Sequence, residues 1–231
     1  GDVEKGFAEA DLVIEREFTT ATVHQGYIEP HNATAMWKTD GHLTVWTSTQ
    51  GSFTTQKQLG AVLGHPVAKT KVVPQEIGGG FGGKIPVYLE PVAALLSRKT
   101  SKPVKLIMTR ADVFEGTGPT PGSYVRVKLG ANREGKLTAA DSYIAFESGA
   151  YPGGLVASAA MCIFACYDIP NGVIDFYDVV VNKPRSFAYR APGSTHVAFC
   201  IEKAMDDCLV AFAMNGEALR AEQGQAAHDR R

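Results

Sequence analysis

The sequence has few cysteines and no excess of charge of either sign, and each shortage excludes a class of protein. Four cysteines among 231 residues are too few for a disulfide scaffold, and none stand in the C-x2-C spacing of zinc sites and iron–sulfur clusters. We expect buried free thiols, with Cys162 and Cys166 in an apolar run. Lysine and arginine total 23 against 24 acidic residues, a formal net charge of −1, which excludes the basic surface of a nucleic-acid-binding protein.

Long apolar runs are also missing. No stretch approaches the roughly 18 apolar residues that span a bilayer. The N-terminal residues Gly1-Asp2-Val3-Glu4-Lys5 lack the basic and then apolar layout of a signal peptide. We therefore expect a cytoplasmic protein that contacts neither membrane nor nucleic acid. Apolar residues make up 45% of the chain, enough to bury a substantial core and to exclude disorder.

Alternation of apolar and polar residues predicts strands, and several of these strands pair as hairpins. Asp40-Gly41 lies between strand-like runs at 34–38 and 43–47, which is a strong hairpin signal. Asn132-Arg133-Glu134-Gly135 joins two further alternating runs, at 124–129 and 137–146. The remaining predicted strands are 12–18, 71–74, 104–108 and 173–181.

Three helices are predicted between the strands. The first runs over 53–63 with Gly64 at its C-cap. The second begins near Pro86 and ends near Arg98. The third is capped by Ser194 or Thr195. Because strands dominate and come in hairpins, the sequence predicts an α+β fold of hairpin-rich mixed sheets with about three inserted or covering helices.

The organisation predicted along the chain is simple. Residues 1–215 are predicted to form one domain, with room for two subdomains that would divide near 110–122, where a loop rich in glycine and proline lies. Residues 216–231 form a polar tail that we expect to fray, because it offers nothing that docks into a core.

The most informative motif is Gly78-Gly79-Gly80-Phe81-Gly82-Gly83-Lys84, here called the glycine loop. Read as G-x-G-x-x-G, it would be a dinucleotide fingerprint, but the acidic residue expected about 20 positions later is missing. Read as a G-x4-G-K-[ST] phosphate loop, it lacks the hydroxyl residue, since position 85 is Ile. A turn without any ligand is a third possibility, although five glycines in six residues lose much backbone entropy on ordering.

A fourth interpretation uses all the glycines at once. Without Cβ atoms, the backbone can approach a ligand closely, and successive N–H groups can line an anion or cofactor surface. Phe81 would then be the one side chain presented by the loop. A ligand also explains why the chain keeps so many glycines together.

Three segments in this order resemble the molybdopterin-binding large subunit of the xanthine dehydrogenase and aldehyde oxidase family. They are Trp46-Thr47-Ser48-Thr49-Gln50, the glycine loop, and Ala188-Tyr189-Arg190-Ala191-Pro192-Gly193. Shorter matches extend the resemblance over nearly the whole chain: Gly1-Asp2-Val3-Glu4, Tyr27-Ile28-Glu29-Pro30, Gly149-Ala150-Tyr151 and Ile201-Glu202. The resemblance implies part of a molybdenum hydroxylase, which hydroxylates an aldehyde or an N-heterocycle with oxygen from water.

The resemblance also implies a set of cofactor-binding residues: Gln50, Gly80, Phe81, Gly82 and Arg190. Gln50 matches a glutamine whose amide approaches the molybdenum oxo group. Phe81 and Gly82 match residues that sit against the metal centre, where the backbone presents an N–H to an oxygen ligand. Arg190 matches an arginine that contacts the cofactor, and its fork of donors suits oxo or phosphate acceptors.

Four positions depart from particular branches of that family. Ile85, Pro192 and Ser158 stand where purine-oxidising members have a glutamate, a phenylalanine and an arginine that contact the substrate. Ala191 stands where carbon monoxide dehydrogenases carry a copper-binding cysteine. The resemblance therefore does not favour a purine or carbon monoxide as substrate.

The family's catalytic glutamate lies in a Gly-x-Gly-Glu-like motif far beyond the Arg190 region, so no catalytic residue is assigned to this chain. The implied cofactor is molybdenum–molybdopterin, as molybdopterin or its cytosine dinucleotide form, with iron–sulfur clusters and FAD on other domains or subunits. The implied partners are the remaining C-terminal molybdenum-binding region, the iron–sulfur and flavin modules, and a small-molecule substrate. We expect the chain alone to be inactive.

Two further interpretations complete the sequence analysis. A nucleotide-binding module that uses residues 78–84 is the alternative function. His24, Glu29 and His31 are close in sequence, but their spacing fits no metal motif, so we expect a local hydrogen-bonded loop and no metal ligands.

Overall fold

The computed structural model describes the backbone of residues 1–228 and the side chains of residues 1–213. Within this part of the chain, the strands are β1 (Leu12–Thr20), β2 (Asn32–Trp37), β3 (Leu43–Thr47), β4 (Thr70–Pro74), β5 (Val104–Ile107), β6 (Ser123–Ala131), β7 (Leu137–Gly149) and β8 (Gly172–Val180). The helices are α1 (Val3–Ala8), α2 (Ser52–Leu63), α3 (Glu90–Thr100), α4 (Arg110–Gly116), α5 (Val156–Cys162) and α6 (Ser194–His228). The α+β class is confirmed, and the side chains of the predicted tail, 216–231, all lie outside the described residues.

The second predicted helix begins later than expected, at Glu90 of α3 and not near Pro86. The backbone before it is held by side chains and not by helical hydrogen bonds. The Val87 N–H donates to Gln58 Oε1 at 2.9 Å, and the Tyr88 N–H donates to Glu90 Oε2 at 2.8 Å. A proline in the first turn does mark this helix, but it is Pro91.

Three short helices, α1, α4 and α5, were not predicted. The first two are capped by residues that the sequence shows: Asp2 accepts a hydrogen bond from the Lys5 N–H, and Thr109 forms a capping box with Asp112. The third starts after Leu155, which has a left-handed backbone with φ +48°. Each helix has six or seven residues, too short for apolar periodicity to reveal it.

The cysteine prediction was wrong for two of the four residues. Cys200 and Cys208 of α6 are buried, but Cys162 and Cys166 are exposed. The reason is the amphipathic character of α5, whose Val156, Ala159 and Ala160 face the core. Cys162 lies outside this buried face of the helix and is exposed.

The chain divides into two compact units. Unit one comprises residues 1–21, 121–181 and 191–231. Its sheet has the strand order β1-β6-β7-β8, with β6 antiparallel to both neighbours and β8 parallel to β7. Alternate residues of β6 point into a core shared with α5 and α6, as period-2 strand geometry requires; the core includes Val125, Val127, Leu129, Ile144, Phe146, Ile163, Val197 and Ile201.

Unit two comprises residues 22–120 and 182–190. Its sheet has the order β4-β3-β2-β5, in which β2 and β3 form the predicted hairpin and β4 runs parallel to β3. Helices α2 and α3 contribute to its core, which contains Ala33, Ala35, Leu43, Val45, Leu59, Ala93 and Ala94. The glycine loop joins β4 to the segment before α3. Among the described residues, there is no helix with the length and apolarity needed to cross a membrane.

The predicted C-cap of α2 allows a test of the fold. Gly64 has φ +59°, and an added Cβ would meet nothing within 4 Å. The cost of Gly64→Ala is therefore backbone strain alone, and we expect a loss of about 1 kcal/mol in the free energy of unfolding. Urea denaturation followed by tryptophan fluorescence measures it, because both tryptophans, Trp37 and Trp46, lie in unit two.

Gly116→Ala is the matched control. Gly116 also has open space around it, but its φ is outside the left-handed region. Because alanine is favourable at the end of α4, this variant is expected to be neutral or slightly stabilising. Equal losses in both variants would contradict the assignment of strain to Gly64.

Candidate functional site

Gln50 holds the second half of the glycine loop. It lies three residues after the end of β3, and its side-chain Oε1 accepts hydrogen bonds from the N–H groups of Gly82 at 2.8 Å and Lys84 at 3.2 Å. The Gln50 backbone N–H in turn donates to the Lys84 carbonyl at 3.1 Å. These three bonds fix the loop against the end of the central hairpin.

The same bonds orient the Gln50 amide. Because two N–H groups point at Oε1, the hydrogen-bond network assigns the other side of the amide as the Nε2 donor. Gln50 is exposed, and Nε2 has no partner in the described part of the chain. The side chain can therefore anchor the loop and still donate a hydrogen bond to a ligand.

Arg190 reaches the tip of the loop through its backbone. Its N–H donates to the Phe81 carbonyl at 2.8 Å, which brings the segment 182–190 beside the loop. The side chain is exposed, and the guanidinium forms no ion pair or hydrogen bond with the described residues. Its rigid fork of five N–H donors is thus available to an anionic ligand.

Phe81 occupies a strained position at this tip. Its φ of +53° lies in the left-handed region, which costs a non-glycine residue on the order of 1–2 kcal/mol. The turn is held by the Gly83 N–H, which donates to the Gly80 carbonyl at 2.8 Å. Phe81 is 45% exposed, so the loop presents an aromatic residue at the tip that is bonded to the Arg190 backbone.

Close packing leaves no room for a Cβ at four glycines of the loop, Gly78, Gly80, Gly82 and Gly83. A Cβ at Gly80 would lie 2.6 Å from Gln50 Oε1, and one at Gly82 would lie 2.4 Å from the Ala188 carbonyl oxygen. The structure differs here from the sequence-based expectation. The space left by the missing Cβ atoms of Gly80 and Gly82 is filled by Gln50 and Ala188 and not by a ligand. The Gly82 N–H was expected to face an oxygen ligand, but it donates to Gln50 Oε1.

The position of Lys84 argues against both nucleotide-binding interpretations. Its side chain is fully buried, and Nζ lies 2.6 Å from Glu29 Oε2, so it is not available to a phosphate. In addition, α3 begins only at Glu90. Both nucleotide motifs need a helix N-terminus directly after the glycines, where the dipole and free N–H groups meet the phosphates.

The metal-capable residues near the loop serve internal contacts. Tyr27 is buried against the loop, and its hydroxyl is hydrogen-bonded to His31 Nε2 at 2.6 Å. His24 Nε2 is hydrogen-bonded to Thr117 Oγ1 at 2.7 Å, and Glu29 is paired with Lys84. Within the described residues, no group of three or more His, Cys, Asp or Glu is placed to hold a metal ion.

Burial controls the protonation of these groups. It lowers the pKa of His31 to about 4, with a further contribution from the positive charge of Lys84. It raises the pKa of Tyr88, whose ring packs edge-on against His31, to about 12. Both side chains are therefore neutral at neutral pH.

The five residues singled out from the sequence, Gln50, Gly80, Phe81, Gly82 and Arg190, come together in unit two. Sequence reasoning missed the buried pair of Glu29 and Lys84. Both residues lie in segments that carry the family resemblance. The sequence does not show, however, with which partner a charged side chain will pair. The sequence offers Lys84 only as a candidate phosphate ligand.

An exposed aromatic residue and two side chains with free hydrogen-bond donors lie on one loop and its neighbouring segments, a combination of apolar and directed polar groups that is typical of ligand-binding surfaces. The chain belongs to the molybdopterin cofactor-binding domain family, whose family model matches residues 1–222. Similar curated proteins include the nicotinate dehydrogenase large molybdopterin subunit of Eubacterium barkeri, 29% identical over 93% of this chain and 51% of that subunit. The aldehyde oxidoreductase molybdenum-binding subunit PaoC of Escherichia coli K12 is 32% identical over 90% of this chain and 28% of that subunit.

Solved structures show the same relationship. The aldehyde oxidoreductase of Desulfovibrio gigas superposes with a TM-score of 0.88 at 26% identity, covering 92% of this chain and 24% of that one. The CO dehydrogenase of Oligotropha carboxidovorans has a TM-score of 0.81 at 26% identity, covering 95% of this chain and 28% of that one. The chain thus spans about half of the nicotinate dehydrogenase subunit and less than a third of the other three proteins.

The packing of Gly82 gives a test of the loop. Gly82→Ala combines a φ of +106° with a Cβ that would collide with a backbone carbonyl. We expect the free energy of unfolding of unit two to fall by at least about 2 kcal/mol. The matched control is Gly41→Ala in the β2–β3 turn, where φ is +85° but the nearest atom is 3.8 Å away. This control should lose only about 1 kcal/mol, and equal losses in urea denaturation would argue against the inner contact.

The burial of His31 predicts a dependence of stability on pH. Its pKa is about 4 in the folded state against an ordinary value of 6.5. The unfolded state therefore takes up the proton first, and stability present above pH 6.5 is lost as pH falls toward 4. We expect a loss of roughly 2–3 kcal/mol over this range, measured by urea denaturation with tryptophan fluorescence. His31→Gln keeps an acceptor for Tyr27 but cannot titrate, so its profile should be flatter; identical profiles would refute the assignment.

Proposed function

We propose that this chain is the cofactor-binding part of a molybdenum hydroxylase, which hydroxylates an aldehyde or an N-heterocycle with oxygen from water. The observation that carries the proposal is the convergence of Gln50, Phe81 and Arg190 around the glycine loop, in a chain of the molybdopterin cofactor-binding domain family. When bound, the cofactor would supply the molybdenum centre and its redox chemistry. The residues of this chain would bind and orient it.

The donor chemistry of the site fits such a group. The Nε2 of Gln50 and the guanidinium of Arg190 are directed donors with no partner among the described residues. Oxo and phosphate oxygens are acceptors, and charge-assisted hydrogen bonds to them are short and strong. Phe81 would add an apolar wall that excludes water from one side. Since Oε1 of Gln50 is already occupied, Gln50 can act only as a donor toward the ligand.

The remaining parts of the enzyme belong to this proposal. The cofactor is molybdopterin or its cytosine dinucleotide form, and the catalytic glutamate comes from the remaining C-terminal molybdenum-binding region. Iron–sulfur clusters and FAD on other domains or subunits remove the two electrons, and the whole functions in the cytoplasm. Support for further parts comes from the two curated relatives, which are named as subunits and of which this chain covers 51% and 28%.

An exposed apolar residue at the end of the loop favours an aldehyde or an N-heterocycle other than a purine as the substrate. Ile85 directly follows Lys84 and is 39% exposed, at the place where purine-oxidising members of the family have a glutamate. An apolar side chain cannot pair with the polar edge of a purine, and leaving that edge unpaired in a closed site is unfavourable. Relatives of this chain are named for aldehydes and nicotinate and also for xanthine and hypoxanthine, so this preference rests on Ile85.

Gln50→Glu tests the proposal in the enzyme assembled with its natural partners. The carboxylate can still accept the N–H bonds of Gly82 and Lys84, so the loop stays in place. It cannot donate, and its negative charge faces the oxygen-rich cofactor. We expect turnover to fall at least about tenfold, with lower molybdenum content and an unchanged melting temperature.

Gln75→Glu is the control, because Gln75 is an exposed amide near the loop whose Nε2 only contacts the Pro74 carbonyl. It should retain normal turnover and metal content. Wild-type enzyme that carries no molybdenum after purification would refute the proposed function. Normal turnover in Gln50→Glu would refute the role of Gln50 as donor.

A further inference from the structure

We infer that Glu29 and Lys84 form a positioning pair, which closes the glycine loop and holds Phe81 and Gln50 in place for the cofactor. The inference rests on the proposed function, because it concerns the same loop. The Lys84 side chain is fully buried, and neither residue is among the five assigned to the cofactor. The pair acts through the backbone that it fixes.

The first and last residues of the loop meet at one carboxylate oxygen. Glu29 Oε2 accepts hydrogen bonds from the Gly78 N–H at 2.7 Å and from Lys84 Nζ at 2.6 Å. The Glu29 N–H returns a bond to the Gly78 carbonyl at 3.1 Å. Glu29 itself is held by Asn32, whose Nδ2 donates to Oε1 at 3.0 Å. The two ends of the loop are thus tied to a single point on the segment before β2.

Lys84 is fully enclosed on the inner side of the loop. Its ammonium donates to Ser48 Oγ at 3.4 Å and lies 5.1 Å from the centre of the Tyr27 ring. Burial lowers the pKa of Lys84, while the hydrogen bond and charge of Glu29 raise it. Among the described residues, Glu29 is the acidic side chain paired with Lys84. The charge of Lys84 is therefore tolerated because Glu29 is present.

Exposure makes the two members of the pair unequal. The Lys84 side chain is 0% exposed, and that of Glu29 is 27% exposed. If Glu29 loses its charge, a buried ammonium is left without a counter-charge. If Lys84 loses its charge, water can still reach the remaining carboxylate. Removing one partner of a buried pair is strongly unfavourable, whereas removing both is often tolerated. Glu29→Gln should therefore be worse than Lys84→Met, and the double variant should recover.

Amide hydrogen exchange in the 231-residue chain without cofactor tests the positioning. The Gly82 and Lys84 N–H groups bond to Gln50 and not to Glu29, so their exchange reports where the loop lies. We expect exchange at these two amides to be at least roughly tenfold faster in Glu29→Gln. It should be only a few-fold faster in Lys84→Met and close to wild type in the double variant.

Asp11→Asn is the matched control, since it removes an exposed carboxylate that pairs with Arg133 at 3.1 Å and accepts its N–H in unit one. It should leave the loop amides unchanged. Protected amides in the β2–β3 hairpin show that each variant is folded. Wild-type exchange in Glu29→Gln, or no recovery in the double variant, overturns the inference. If Glu29→Gln does not fold, wild-type exchange at Gly82 in Lys84→Met overturns it instead.

Molybdenum content of the assembled enzyme connects the pair to the cofactor. It should follow the same order as the exchange, lowest in Glu29→Gln and restored in the double variant. Normal content in a Glu29→Gln enzyme with a loosened loop would show that the pair is structural only, and would overturn the inference. Wild-type enzyme without molybdenum would instead refute the proposed function, and with it the connection of the pair to the cofactor.

Discussion

The loop between β4 and α3 can pack closely against Gln50, Tyr27 and Ala188 only because its inner side carries almost no side chains. A single Cβ at Gly80 or Gly82 would overlap Gln50 or the Ala188 backbone. The glycine content is thus set first by the protein's own packing. The groups left accessible follow from this packing. Once the inner contacts are made, the Phe81 ring, Gln50 Nε2 and the Arg190 guanidinium remain exposed.

In the candidate site, a single residue makes structural contacts with some of its atoms and leaves others free for a ligand. Gln50 Oε1 accepts two hydrogen bonds from the loop, and its Nε2 donors stay free for a ligand. Glutamate has no donor, alanine has neither group, and asparagine has a shorter side chain. Arg190 is joined to the loop by its backbone, so its guanidinium is not needed for structure. Structural and ligand-binding roles are separated between the atoms of one residue, and this explains how an exposed polar group can be held in a fixed direction.

Much of the fold could be predicted from local patterns. Alternation and Asp40-Gly41 identified the β2–β3 hairpin, and Gly64 marked the end of α2 correctly. Local patterns did not identify α5, the later start of α3, or the exposure of Cys162, because these depend on contacts made elsewhere in the chain. For the site, the resemblance selected five residues that the structure places close together, but the inward direction of Lys84 depends on Glu29, 55 positions away. The roles of the five site residues toward a cofactor stay predictions.

The order of the segments along the chain affects how the protein folds during synthesis. Strand β1 of unit one pairs with β6, so that Leu12 lies opposite Ala131, and this sheet cannot form until more than half of the chain has been made. The sheet of unit two is complete with Ile107, so its contacts are more local and close sooner. The segment 182–190 is made later, so the contacts of the glycine loop with Ala188 and Arg190 form only after the sheet of unit two is complete.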